Sequence, residues 1–175
     1  MVYFISDLHL GHKNIINYCN RPFLGVEDMD KQIVERWNMK VGIHDKVYIL
    51  GDITLEEEKV SMIKELNGEK HLIIGNHDYC YLDKIVELKC FKSISYMEII
   101  NLDGKIITLS HFPMPTFIGE YLIYGHVHNN FKDKNWKMVR KKPNTLNACV
   151  EINDYEPVTF DELKNNNKKI VSLHK

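Results

Sequence analysis

The sequence lacks most of what would staple, anchor or generally charge a protein. Four cysteines, Cys19, Cys80, Cys90 and Cys149, stand at irregular spacing with no C-x-x-C pair. That excludes a disulfide framework and a thiolate zinc knuckle, and reads as four reduced thiols in a cytoplasmic protein. Cys80 reads as a buried, inert thiol. No apolar run approaches the roughly 20 residues of a membrane span, and the opening Met1-Val2-Tyr3-Phe4-Ile5 is too short for a signal segment. Arginine is confined to Arg21, Arg36 and Arg140, and the formal net charge is -1. Bulk electrostatics therefore favour neither membrane nor nucleic acid, and any hold on a polyanion must come from a local patch. There is no internal repeat and no long linker. At 175 residues, with 44% hydrophobic and 27% charged side chains, the chain reads as a single domain over residues 1–175.

Short apolar runs alternate with amphipathic stretches, the rhythm of an α/β fold. Residues 2–6, 46–50 and 70–74 read as buried strands. Met29, Ile33, Val34, Trp37 and Val41 fall at helical spacing. So do Leu55, Met62, Ile63 and Leu66, with Glu56 to Glu58 in the first turn and Gly68 as the stop. Residues 93–102 and 105–110 are β-rich, joined at Asp103-Gly104, a hairpin signal. Residues 120–124 and 147–152 read as further strands. Pro157 onward leads toward a short helix, and Asn165 to Asn167 reads as a polar turn. One mixed sheet, or two packed sheets with helices outside, fits this order.

What ends each strand carries the chemistry. The first runs into Asp7-Leu8-His9, the second into Gly51-Asp52, and the third into Gly75-Asn76-His77-Asp78. Residues 105–110 run into His111, and residues 120–124 into Gly125-His126-Val127-His128. Carboxyl ends of strands in open α/β sheets are where loops bring distant residues together. Glycines 51, 75 and 125 read as sharp turns that aim the next side chain inward. The collected carboxylates, imidazoles and one amide oxygen are N/O donors of intermediate hardness, suited to manganese foremost, with iron, nickel or zinc as alternatives. Seven donors (Asp7, His9, Asp52, Asn76, His111, His126 and His128) exceed the need of one tetrahedral ion and suit two divalent metal ions with a bridging carboxylate. Such a pair generates a bridging hydroxide and clamps a phosphoryl group for in-line attack. Each motif alone is weak. Their order and placement together are not, although His12, His44, His71 and His174 lie outside these strings.

The series Asp7-x-His9, Gly51-Asp52, Gly75-Asn76-His77-Asp78, His111 and Gly125-His126-x-His128 resembles the calcineurin-like metallophosphoesterase superfamily. Ser6-Asp7-Leu8-His9-Leu10-Gly11-His12 is similar to its small, capless bacterial and phage members. The resemblance implies two packed mixed β-sheets flanked by helices, a four-layer αββα sandwich. It further implies one metal on Asp7, His9, Asp52 and His128, and a second on Asp52, Asn76, His111 and His126. His77 would then contact phosphoryl oxygens or protonate the leaving group, with Asp78 orienting its imidazole.

Three residues are candidates for substrate contact: His12 and Asn14, which otherwise cap the next helix, and Arg21, which otherwise forms a surface ion pair. Residues 131–142 set Lys132, Lys134, Lys137, Arg140, Lys141 and Lys142 around Trp136. A solvated loop is the simpler reading, and single-stranded nucleic acid held by charge and stacking is the sharper one. The expected function is hydrolysis of a phosphodiester or phosphomonoester. With no cap domain the site should be open, which favours diesters or accessible phosphate ends. A nuclease acting on nucleic-acid ends or single strands is the alternative, and a non-enzymatic protein-binding scaffold ranks last because no ligand is missing.

Overall fold

The computed structural model describes residues 1–173, so His174 lies outside the described residues. Among the described residues, nine strands form two sheets. Strands β1 (Val2–Ile5), β2 (Lys46–Ile49), β3 (Glu69–Ile73), β4 (Phe91–Ser95) and β9 (Val158–Thr159) make a five-stranded sheet in the order β4-β3-β2-β1-β9. Its first four strands are parallel, and β9 runs antiparallel to β1. Strands β5 (Met97–Leu102), β6 (Lys105–Ser110), β7 (Tyr121–Tyr124) and β8 (Thr145–Asn147) make a second sheet in that order. There β5–β6 is antiparallel and the other pairs are parallel.

Alternation along each strand assigns its two faces. On β1, Phe4 joins Tyr48, Leu50, Ile73, Ile107, Leu109 and Ile123 in the core between the sheets. Tyr3 and Ile5 point the other way, onto Met29, Ile33 and Trp37 of helix α2 (Val26–Lys40), which follows the short α1 (Lys13–Tyr18). A third short helix, α3 (Leu82–Glu87), adds Ile85 to this outer layer. On the far side, Leu122 and Tyr124 of β7 pack against Trp136 and Val139 of α4 (Lys134–Val139). Helix α5 (Phe160–Leu173) sends Phe160 and Leu163 into the core between the sheets. The architecture is thus two mixed sheets flanked by helices, in the four-layer order expected. Among the described residues, no helix is long and apolar enough to cross a membrane.

Asp103 and Gly104 take φ of 51° and 82° and close the β5–β6 hairpin as their chemistry requires. Four other expectations are corrected. Residues 93–102 are not one strand: the chain breaks at Tyr96, and β4 and β5 are edge strands of different sheets. Half-buried alternation is the same on either edge, so periodicity cannot reveal the change of sheet. The stretch from Leu55 to Leu66 winds as 3-10 turns over Glu57–Glu65, burying Val60 and Ile63. The strand expected at 147–152 ends at Asn147. Asn153 Nδ2 donates to the Cys149 carbonyl at 2.9 Å, and Val150–Ile152 turns as a 3-10 segment.

Helix α5 begins after β9 at a capping box, in which Glu162 Oε2 accepts the Thr159 N–H at 2.8 Å, and then runs straight through Asn165 to Asn167. The expected turn is absent because Asn167 is buried and bonded along the open edge of β8. Its Oδ1 accepts the Asn147 N–H at 2.7 Å, and its Nδ2 donates to the Asn147 carbonyl at 3.0 Å. The carboxamide does for Asn147 what a neighbouring strand would. Asn167→Leu should therefore lower unfolding free energy by about 1–3 kcal/mol in urea titration, because the buried Asn147 N–H loses its partner and the Asn147 carbonyl keeps only Asn153 Nδ2 at 3.3 Å. A loss below about 0.5 kcal/mol would mean that water replaces the carboxamide.

Candidate metal centre

The parallel strands β1, β2 and β3 end on one edge of their sheet, and β6 and β7 end on the same side of theirs. The two sheets meet where Ser6 bridges to Cys149, with the Val150 N–H donating to the Ser6 carbonyl at 3.1 Å. Every strand end noted in the sequence thereby faces one place.

The backbone bends hard to do this. Asp7, His9, Asp52, His126 and His128 all have positive φ, between 48° and 72°. Asp and His tolerate this left-handed region better than most residues, yet each such position still costs on the order of 1 kcal/mol. The glycines act in two ways. Gly51, at φ +87°, is a true turn. Gly75 and Gly125 have ordinary φ, which corrects the expectation of turns there; they are glycine because carboxylates crowd them. A Cβ on Gly75 would lie 2.3 Å from Asp52 Oδ1, and one on Gly125 would lie 2.5 Å from Asp7 Oδ2.

Asp7 is fully buried, and its two oxygens meet different surroundings. Oδ2 accepts the His126 N–H at 2.9 Å and lies 3.2 Å from Cys149 Sγ. Oδ1 has no hydrogen-bond partner among the described residues and faces His9 Nε2 at 3.8 Å and His128 Nε2 at 3.5 Å. Asp52 is arranged alike. Its Oδ1 accepts the His77 N–H at 2.9 Å, while Oδ2 lies 3.7 Å from His9 Nε2 and 3.5 Å from His111 Nε2. His111 Nδ1 sits 2.7 Å from the Leu50 carbonyl, which can only accept, so Nδ1 carries the proton and Nε2 keeps its lone pair toward Asp52. Asn76 Oδ1 lies 3.0 Å from that Nε2.

Among the described residues three groups of three donors lie close enough to hold an ion: Asp7, His9 and His128; Asp52, His111 and His126; and, sharing His128 with the first, Cys19, His128 and Glu151. Asn76 borders the second, and Asp52 Oδ2 reaches His9 of the first. The structure thus brings all seven expected ligands together. Two buried donors of these groups, Asp7 Oδ1 and His9 Nε2, have no hydrogen-bond partner among the described residues. Around an ion with bonds of about 2.1 Å, neighbouring donors sit roughly 3–3.5 Å apart, close to the spacings seen here. The donor set and geometry fit metal ions.

The electrostatics agree. Burial pushes Asp7 upward, but His128, His9 and His111 outweigh it and hold the carboxyl well below the usual range. Burial, reinforced by the Asp7 charge, raises Asp52 despite its imidazole neighbours. Burial lowers His9 and His126. It would lower His128 as well, yet Asp7, Cys19 and Glu151 raise that imidazole to about 11. A cation entering the site must displace this proton, so acid should compete with metal.

Behind His128 lies a support that the sequence did not disclose. Glu151 Oε1 sits 3.0 Å from His128 Nδ1 and accepts from Arg21 Nε at 2.9 Å and Nη2 at 2.7 Å. Arg21 also donates to the carbonyls of Leu8 and Asp7, both at 2.8 Å. With its guanidinium buried and committed, Arg21 is not the expected phosphate contact; it braces the loop carrying Asp7 and His9. Glu151 stands in an ordinary stretch after β8 and matches no motif, so no local signal marks it.

Asp78 is corrected too. Its carboxylate does not face the His77 imidazole but accepts the N–H groups of Asp52, Ile53 and Gly75 at 2.8–3.0 Å. Three backbone donors hold a buried carboxylate better than one half-exposed imidazole. His77 stands at the mouth, with Nε2 3.9 Å from Asp52 Oδ2. Above it opens a cleft of about 940 Å³, also lined by His12, Tyr18, Asn129, Lys132 and Arg140. Burial lowers His12 to about 4, so it faces the cleft as a neutral imidazole. Asn14 is exposed on α1 and is not part of the lining. Trp136 borders the cleft but packs in the outer core with only 3% of its surface exposed, so it offers a base little ring to stack on. Cys80 is exposed rather than buried.

No model of a known protein family matches the chain. The uncharacterized protein MJ1445 of Methanocaldococcus jannaschii is 36% identical over 167 residues, covering 91% of this chain and 87% of that protein. A crystal structure of AQ665 from Aquifex aeolicus, a protein of unknown function, superposes with a TM-score of 0.75 at 32% identity. It covers 94% of this chain and 98% of its own. A structure described as a novel archaeal phosphodiesterase aligns at a TM-score of 0.48 and 18% identity, over 73% of each chain.

Glu151→Gln keeps the shape of the His128 support and removes its charge. Calorimetric titration with Mn²⁺ should show affinity reduced by about 10–100-fold, the usual effect of losing a ligand's outer partner. The melting temperature should also fall, because Arg21 is left buried without its counter-ion. Unchanged metal affinity would detach Glu151 from the site.

Proposed function

The chain belongs to one family with MJ1445 of Methanocaldococcus jannaschii, and from its site we propose that it is a phosphoesterase working with two divalent metal ions, manganese foremost. The observation that carries this reading is the pair of three-donor groups that meet at Asp52 beneath an open cleft. When bound, two such ions supply an activated water and neutralise charge on a phosphoryl group. We assign Asp7, His9, Asp52 and His128 to one ion and Asp52, Asn76, His111 and His126 to the other.

The chain's own groups divide the remaining work. His77, half-exposed at the mouth, donates to a phosphoryl oxygen or to the departing alkoxide. Asp78 holds the turn that presents His77 by gathering the N–H groups of Gly75, Asp52 and Ile53. His12 lines the cleft wall, where a neutral imidazole can accept from or donate to substrate. The cleft is open, and an open cleft admits a phosphate bearing two substituents, which favours diesters. The same chemistry on nucleic-acid ends or single strands is the second reading, favoured by Lys132 and Arg140 in the cleft wall.

Asp52→Asn should reduce Mn²⁺-dependent hydrolysis of bis-p-nitrophenyl phosphate to background while circular dichroism stays unchanged. His77→Ala should lower turnover of that diester by about 100-fold or more, the usual worth of a positioned acid. The loss should be equally large for a diester that leaves as an alkoxide if His77 serves phosphoryl oxygens, and larger for that diester than for one leaving as p-nitrophenolate if it serves the leaving group. Activity surviving Asp52→Asn would sink the mechanism.

A further inference from the structure

A second basin lies on the other side of Arg140. It encloses about 610 Å³ between α5 and the turn that follows α4. Five cations line it: Arg140, Lys141 and Lys142 from the turn, and Lys164 and Lys168 one helical turn apart on α5. Tyr121, Leu146 and Val171 form its apolar part, and among the described residues no Asp or Glu lines it. In a chain of net charge -1, such a gathering of one sign across two separate elements is a local field, not a reflection of composition.

Some of this charge is already engaged. Lys164 pairs with Asp161 at 2.8 Å, and Lys142 Nζ donates to the Pro115 carbonyl. Lys141 and Lys168 are exposed and make no ion pair among the described residues. Arg140 also lines the cleft above the candidate metal centre, so the two concavities share a wall. Lys132 extends the positive side along the cleft, and Tyr18, with 73% of its surface exposed, offers an open ring there.

We propose that the basin holds the backbone of a single-stranded nucleic acid whose neighbouring phosphate enters the cleft. For the chemistry at the cleft end, the proposal rests on the phosphoesterase reading. Cations spread over two adjoining concavities serve successive phosphates better than one small anion. Apolar surface between them suits sugars and base faces, and the exposed Tyr18 ring gives a base a stacking platform. A duplex is too wide for a basin of this size, whereas a flexible strand can follow it. An anionic membrane would be met by a flat or convex basic face, and these cations line hollows.

The test is the affinity of the full chain for a fluorescein-labelled, phosphorothioate-linked oligothymidylate of about 12 nucleotides, within the usual single-strand site size. Anisotropy is read across a salt series. Two lost phosphate contacts at about 0.7 counterions each predict about 25-fold weaker binding near 0.1 M salt for Lys141→Glu/Lys168→Glu. The slope of log affinity against log salt should become shallower by about 1.4. Lys31→Glu/Lys92→Glu, with the same charge change on α2 and β4, should lose far less. Salt-independent binding, or equal losses in the two double variants, overturns the proposal. So does tight binding to phosphatidylserine vesicles without oligonucleotide binding. Wild-type turnover of bis-p-nitrophenyl phosphate is read separately. Absent turnover with basin-dependent strand binding rejects the phosphoesterase reading and keeps the basin, whereas turnover without strand binding does the reverse.

Discussion

Two carboxylates buried at the seam between the sheets, Asp7 and Asp52, are the constraint around which this molecule is organised. A buried carboxylate is stable only when hydrogen bonds and positive charge answer it. Each of these dedicates one oxygen to the protein, Asp7 Oδ2 to the His126 amide and Asp52 Oδ1 to the His77 amide, and leaves the other toward imidazoles. That division explains the glycines at 75 and 125, whose missing Cβ atoms are the space in which those carboxylates lie. It also explains why five candidate ligands occupy left-handed backbone: the donors must turn inward immediately after their strands end.

Strain of this kind needs a frame that does not yield. Three parallel strands of one sheet and two of the other end together, and the Ser6–Cys149 bridge joins the sheets at the level of the site. Arg21 and Glu151 form a second brace. One guanidinium holds the carbonyls of Asp7 and Leu8 and the carboxylate behind His128, so the first and last ligand loops are locked to each other. A buried ion pair of this sort adds little net stability beside a well-packed apolar replacement. Its value here is registry, since it sets the distance between loops more than a hundred residues apart in sequence.

Function follows from what the frame leaves open. The donors lie at the floor of a cleft with a half-exposed histidine at its lip and basic residues along one wall. Helix α4 anchors that wall: Asp133 caps it by accepting from the Asn135 N–H, and Trp136 and Val139 pack it onto β7. The segment that reads as a charged loop is therefore an anchored element, with its cations set at two adjoining hollows instead of dispersed in solvent.

The donor set was written in the amino-acid sequence. Each candidate ligand sits next to the strand that delivers it, so Asp7-x-His9, Gly51-Asp52, Asn76, His111 and His126-x-His128 were legible as local strings at strand ends. The α/β alternation was legible for the same reason, because burial of one strand face writes a short period into neighbouring residues. The partners were fixed by the packing of the sheets and helices. The roles of Arg21, Glu151, Asp78 and Asn167 depend on contacts across 13, 23, 25 and 20 residues, to Leu8, His128, Ile53 and Asn147. A lone arginine, glutamate, aspartate or asparagine carries no mark of what it will meet. The break at Tyr96 was hidden likewise, since two edge strands with the same alternation differ only in the neighbour they pair with. Local periodicity records which face of an element is buried; which buried polar group answers another is settled when the sheets close.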